Sequence, residues 1–87
     1  MLTLTQCITA ANDLQSRRHG MPILPASPTR DELISWLCWN DGNGCYSDED
    51  CIAEWGEPMS LDETIEQFTT VIESMVLGFI YTLGSNQ

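Results

Sequence analysis

The clearest hydrophobic pattern in the chain runs from Leu61 to Leu83. Apolar side chains recur there at steps of three and four residues, which is the spacing of one face of an α-helix. The first members of this stripe are Leu61, Ile65, Phe68, Ile72, Met75 and Phe79. From Val71 onwards apolar residues occupy nearly every side, as in a helix whose end is buried. The pattern predicts a long C-terminal helix around which the rest of the chain packs.

The starts of the other helices are predicted by side chains that can cap a helix backbone. Thr29, Ser47 and Ser60 each stand three residues before an acidic residue, which is the spacing of a capping box. Thr3 or Thr5 can cap a first helix, and Gly, Asn and Pro residues follow the apolar runs and end them. The predicted helices cover residues 4–18, 30–39, 48–55 (a short one) and 61–83. We therefore predict an all-α fold, a compact domain of about four helices over residues 1–87.

The segment between the first two predicted helices cannot be helical. It contains three prolines, and proline removes a backbone donor and clashes with the preceding turn. Residues 21–28 are predicted to form an extended strap held to the core by Met21, Ile23 and Leu24. In the short third helix, the residues predicted to face inward are Ile52, Ala53 and Trp55.

The loop from Asp41 to Asp50 leaves two alternatives open. Its glycines can turn a small β-hairpin near residues 41–47, which would make the fold α+β. Its carboxylates are hard oxygen ligands, so a metal-binding module is an alternative function. The spacing departs from that of an EF-hand, because Tyr46 stands where the EF-hand loop requires glycine. We therefore expect neither a metal site nor a cofactor.

The four cysteines are predicted to be reduced thiols. The first residues resemble no secretory signal peptide, and the expected cytoplasmic location favours free thiols. The cysteine spacing lacks the Cys-x-x-Cys pairs of a typical zinc site. A single histidine, His19, gives little support to nucleophilic catalysis, so we do not expect an enzyme. No apolar run is long enough to span a membrane.

The charge balance limits the classes of partner. The net charge is −10, lysine is absent, and twelve of the thirteen carboxylates lie from Asp31 onwards. The basic side chains are Arg17, Arg18 and Arg30, the first two of which, with His19, are predicted to stabilise the end of the first helix. Nucleic acid is bound largely by Lys and Arg that displace counterions, so direct binding to nucleic acid or to an anionic membrane is not expected. A basic surface on a partner protein is the predicted target.

The carboxylates nearest one another in sequence are the predicted contact residues. They occupy the glycine-rich loop and the short third helix: Asp41, Asp48, Glu49, Asp50, Glu54 and Glu57. Trp39, beside the loop, is predicted to be partly exposed and to serve as an aromatic anchor for an arginine-rich surface. A second alternative function is a self-associating accessory subunit, with a homodimer formed through the C-terminal helix.

The chain resembles a class of small acidic proteins in its overall character. Its size, its lack of lysine, its carboxylate series from Asp31 to Glu73 and its lack of a catalytic constellation carry the resemblance. The class comprises the anti-defence proteins of phages and mobile elements, anti-CRISPR and DNA-mimic proteins among them. The resemblance implies an inhibitor whose carboxylates occupy a nucleic-acid-binding surface on a partner protein. It assigns no role to any single residue.

Overall fold

The computed structural model describes residues 2–15, 20–42 and 44–85, with the side chains of the last helix described as far as Val76. Four α-helices follow one another: α1 (Leu4–Gln15), α2 (Arg30–Asn40), α3 (Asp48–Trp55) and α4 (Leu61–Ser85). None of the described residues forms a β-strand. The predicted all-α fold is therefore confirmed, and the α+β alternative with a hairpin near residues 41–47 is wrong.

The helix boundaries agree with those predicted from the caps and breakers. The helices α2 and α3 match to within one residue, and α4 continues to Ser85. The predicted end of the first helix lies outside the described residues, together with Arg17, Arg18 and His19. The homodimer hypothesis depends on the apolar end of α4. The side chains after Val76 lie outside the described ones, so this hypothesis stays a prediction. No helix in the described ranges has the length and apolarity needed to cross a membrane.

Two of the three predicted capping boxes are complete. Thr29 accepts from the backbone N–H of Glu32 at 3.2 Å, and the Glu32 carboxylate accepts from the Thr29 N–H at 2.8 Å. Ser60 and Glu63 form the same pair of hydrogen bonds at 3.1 and 3.0 Å. These bonds satisfy backbone donors that have no partner inside the helix, which explains why the helices begin at these residues.

The cap of α3 is one half of the predicted box, and the cap of α1 is one of its two predicted candidates. Ser47 accepts from the backbone N–H of Asp50 at 3.2 Å, which is one half of a box. Thr3, not Thr5, caps α1: its hydroxyl accepts from the Gln6 N–H at 3.1 Å, and the Gln6 side chain accepts from the Thr3 N–H at 2.9 Å. Glutamine can take the place of glutamate in a capping box.

Ser60→Ala is expected to lower the free energy of unfolding by about 1 kcal/mol, because the Glu63 N–H loses its acceptor. Denaturant titration measures this difference. Ser74→Ala is the matched control, since Ser74 is exposed in the middle of the same helix, and should change stability by less than about 0.5 kcal/mol. An equal effect of the two substitutions would contradict a stabilising cap at Ser60.

The core forms where α4 lies against α1 and α2, the two helix pairs that make extensive contact among the described residues. The buried core residues are Cys7, Ile8, Ala11, Met21, Leu24, Leu33, Trp36, Leu37, Phe68 and Ile72. The Trp36 and Phe68 rings meet edge to face at its centre, with centroids 5.2 Å apart. The predicted packing around the C-terminal helix is thus confirmed for α1 and α2.

The proline-rich strap has no regular secondary structure, and only part of its predicted contact face is buried. Met21 and Leu24 are buried, whereas Ile23 is 68% exposed, so the inward prediction for Ile23 is wrong. The Asn12 side chain fixes the strap: its amide donates to the Leu24 carbonyl and its oxygen accepts from the Leu24 N–H, both at 2.9 Å. These two hydrogen bonds hold the backbone at Leu24 with its side chain buried, and Ile23 is left facing solvent.

The orientation predicted for α3 is also wrong. Cys51 is its buried residue, whereas Ala53 is exposed, Ile52 is 52% exposed and Trp55 is 65% exposed. The first turns of α3 are fastened to the domain, since Arg30 forms an ion pair with Asp48. Trp55 lies one turn after Cys51 on the same face of the helix, but it is the last helical residue and its side chain stays exposed.

Candidate binding groove between α3 and α4

An open groove of about 470 Å³ lies between α3, the start of α4 and the loop that precedes α3. Seven residues line it: Cys45, Tyr46, Trp55, Met59, Glu63, Glu66 and Gln67. The lining combines two aromatic rings and a thioether with two carboxylates. Its volume falls within the ordinary range of small-ligand sites, and it is open enough to accept a side chain from another protein.

The aromatic part of the groove is formed by Tyr46 and Trp55. Tyr46 is half-buried and packs against the core, so it forms a fixed floor. Its ring lies so close to Gly44 that a Cβ at that position would come within 2.9 Å of ring atoms, which explains the glycine there. Trp55 is 65% exposed and is the last residue of α3, because the chain turns at Gly56 with a φ of 87°. The groove therefore offers one fixed ring and one solvent-facing ring.

The acidic wall of the groove is formed by Glu63 and Glu66, which are exposed and stand three residues apart on α4. Residues at this separation share one face of a helix. The Glu63 carboxylate accepts a hydrogen bond from the backbone N–H of Ser60, and this bond, followed by the nearby Ser60 side chain, lowers the pKa of Glu63. Folded Glu63 therefore stays ionised at pH values where an ordinary glutamate begins to take up a proton.

Further carboxylates act on the groove from the residues around it. Partial burial raises the pKa of the Cys45 thiol, and the charges of Glu54 and Asp50 raise it further. Burial likewise raises the pKa of Tyr46, with Asp41 as the largest charged contributor. The contributions of these carboxylates have the sign of a negative potential, and burial and charge both oppose the formation of a thiolate or a phenolate.

Among the described side chains, Arg30 forms no ion pair with the carboxylates of the groove, Glu63 and Glu66. Arg30 is the only Lys or Arg within the described ranges, and it forms ion pairs with Asp31 and Asp48. Its Nε also donates to the Met59 carbonyl at 2.6 Å, which ties α2 to the segment before α4. Arg30 thus positions the groove without supplying a cation to its carboxylates.

The predicted contact residues are distributed unevenly around this groove. All six predicted carboxylates are exposed: Asp41, Asp48, Glu49, Asp50, Glu54 and Glu57. Asp41, Asp50 and Glu54 act on residues that line the groove, whereas Asp48 is bound by Arg30. Trp39 is half-buried, packs against the core and lies beside Gly20.

Sequence reasoning missed Trp55 as the exposed aromatic residue. One signal was available: Trp55 is the last residue of a short helix, directly before the Gly56-Glu57-Pro58 terminator. An aromatic residue in that place has few neighbours of its own chain to cover it.

The described part of the chain contains no group of three His, Cys, Asp or Glu side chains that could hold a metal ion. The four cysteines carry free thiols. Cys51 is buried, and its Sγ lies 3.5 Å from the Cys45 carbonyl oxygen and 3.7 Å from that of Tyr46. Cys7 is buried in the core, where burial and then the charge of Glu73 raise its pKa.

The thiols are therefore expected to react in two classes. Cys7 and Cys51 are fully buried and should react with an aromatic disulfide reagent only after unfolding. Cys38 and Cys45 are half-buried with a raised pKa, so they should react in the native protein but more slowly than a free thiol. Titration without reductant should count two thiols in the native protein and four in denaturant. Fewer than four in denaturant would contradict the free-thiol assignment.

Comparisons with known proteins give no relative from which a function can be transferred. No protein family model matches the chain, and no curated protein and no solved structure is significantly similar to it.

Proposed function

We propose that this protein is a non-enzymatic, cytoplasmic binding module whose acidic face engages a basic surface of a partner protein. This face comprises the six predicted contact carboxylates together with Glu63 and Glu66 of the groove. The observation that carries the proposal is the groove between α3 and α4, where the exposed Trp55 stands beside the carboxylates of Glu63 and Glu66. An aromatic ring next to fixed negative charge favours a cationic partner. Where the partner's basic surface normally binds nucleic acid, the module acts as an inhibitor, as the resemblance to anti-defence proteins implies.

The distribution of charge supports a role in association. The net charge is −10, and two exposed carboxylates of α3, Asp50 and Glu54, act on Cys45 in the groove. A field of one sign steers an oppositely charged partner and raises the association rate, and salt screens it over about 8–10 Å. The acidic face is thus expected to act mainly on the rate of association, while the groove determines the rate of dissociation.

The test is a charge-neutralising variant measured against the partner, captured from a lysate and then purified. Glu49→Gln, Asp50→Asn and Glu54→Gln are combined, and Asp48 is kept because it binds Arg30. Association at low salt should be about threefold to tenfold slower than for the wild type, and its dependence on salt should be flatter. The dissociation rate should change little.

Asp13→Asn serves as the control, because Asp13 lies on α1 and outside the acidic face. For each charge removed, Asp13→Asn should slow association less than the triple variant does. An unchanged association rate and salt slope in the triple variant would refute the proposal. Circular dichroism of each variant checks that the helices are retained.

A further inference from the structure

We infer that the groove between α3 and α4 seats an arginine side chain of the partner, with its guanidinium against the Trp55 ring and its N–H groups on the carboxylates of Glu63 and Glu66. This inference rests on the proposed function and specifies its central contact. It assigns the occupant of the groove by the chemistry of the lining residues.

The carboxylates provide acceptors for a cation. The Glu63 Oε1 already accepts the Ser60 N–H at 3.0 Å, which fixes the carboxyl group and leaves Oε2 for an incoming donor. Glu66 stands on the same face of α4, one turn further along. The Arg30 guanidinium binds Asp31, Asp48 and the Met59 carbonyl, and its ion-pair partners Asp31 and Asp48 do not line the groove.

The aromatic residues favour arginine over lysine. A guanidinium is planar, weakly hydrated and stacks on an aromatic face, whereas an ammonium is compact and strongly hydrated. Trp55 is 65% exposed, so most of its ring surface is available to such a group. The fork of N–H donors can also reach two carboxylates at once, which a single ammonium does less well.

The remaining lining suits the aliphatic stem of arginine. Tyr46 and Met59 contribute apolar atoms to the groove, and Tyr46 is held in place by the core and by the close approach of Gly44. A long cationic side chain buries its methylene groups on such surfaces and keeps its charged head near acceptors. The apolar floor and the acidic wall therefore match the two halves of one arginine side chain.

The inference is tested with three capped tripeptides that share glycine flanks and differ in the central residue: arginine, lysine or citrulline. Citrulline has nearly the shape of arginine but no charge. Binding is followed by NMR through the indole N–H signal of Trp55. The arginine peptide should shift this signal in a saturable way, the lysine peptide should bind about threefold to tenfold more weakly, and the citrulline peptide should not bind measurably.

Matched variants locate the contact in the groove. Trp55→Ala should weaken binding of the arginine peptide about tenfold, whereas Ile52→Ala should leave the affinity for this peptide unchanged. Binding to the Trp55 variant is followed through the backbone amide signals of α4. Ile52 is the control because it is also exposed on α3 but does not line the groove. Glu66→Gln should weaken binding severalfold, and Asp62→Asn, at an exposed acid of the same helix outside the lining, should not. Both aromatic and acidic substitutions are at exposed positions, so the fold should persist.

Two outcomes would overturn the inference: equal affinity for the arginine and lysine peptides, or equal effects of Trp55→Ala and Ile52→Ala. These results would leave the proposed function standing, provided that the triple charge variant still slows association with the protein partner. An unchanged association rate in the triple variant would instead remove the proposed function itself. Arginine-specific binding that depends on Trp55 would identify the occupant in either case.

Discussion

Phe68→Ala should lower the free energy of unfolding by about 3–5 kcal/mol, which is the usual cost of removing a buried aromatic side chain. Phe68 is fully buried, and its ring meets the Trp36 ring edge to face with an interplanar angle of 87°. The substitution would leave a cavity at the point where α2 contacts α4. It would also remove an aromatic pair that adds about 0.5–1.5 kcal/mol beyond the buried area. Packing holds Trp36 here, since its buried Nε1 has no hydrogen-bond acceptor among the described residues.

Denaturant titration of the wild type and variant measures the loss. Small domains are stable by only about 5–15 kcal/mol, so Phe68→Leu is included as a milder change that should retain the fold. Leu61→Ala is the control on the same helix, because Leu61 belongs to the same sequence stripe but is 48% exposed. It should cost less than about 1 kcal/mol. A loss at Phe68 no larger than that at Leu61 would mean that the core lies elsewhere.

Asn12→Ala should lower the free energy of unfolding by about 2–4 kcal/mol, because two backbone groups of Leu24 would lose their partners together. Leu24 is only 3% exposed, so water cannot easily replace the amide of Asn12. The same change should loosen the strap locally. We therefore expect the Leu24 amide to lose its protection from hydrogen exchange, ahead of the amides of α2 and α4.

Thr5→Ala is the matched control for this substitution, since Thr5 lies on the same helix with an exposed side chain. It should change stability by less than about 0.5 kcal/mol and leave the exchange of Leu24 unaltered. Unchanged protection of Leu24 in the Asn12 variant would contradict the role of Asn12 in holding the strap.

The helices were predictable because the signals that define them are local. The Thr29 cap binds Glu32, and the Ser60 cap binds Glu63, in each case a partner three residues away. Such bonds form wherever the sequence places a hydroxyl before an acidic residue at a helix start. The apolar spacing of α4 likewise identified Phe68 and Ile72 as core residues without any knowledge of their partners.

The candidate site was predictable only in its charge. The carboxylates of α3 are exposed, as a run of acids before a short helix indicates. The aromatic partner was not predictable, because burial of a tryptophan depends on what lies opposite its face. Trp39 is half-buried and packs against the core, whereas Trp55 is 65% exposed, although both follow apolar helical spacing.

The sequence by itself determined the number of helices, their starts, the strap between the first two and the acidic character of the surface. The tertiary structure decided which apolar residues are covered. Ile23 faces solvent while Asn12 binds the backbone of Leu24, twelve residues away, and Trp55 is exposed at the end of α3, whose buried residue is Cys51. Helix starts depend on neighbours in sequence, whereas the cover of a side chain depends on contacts that form only when distant segments meet.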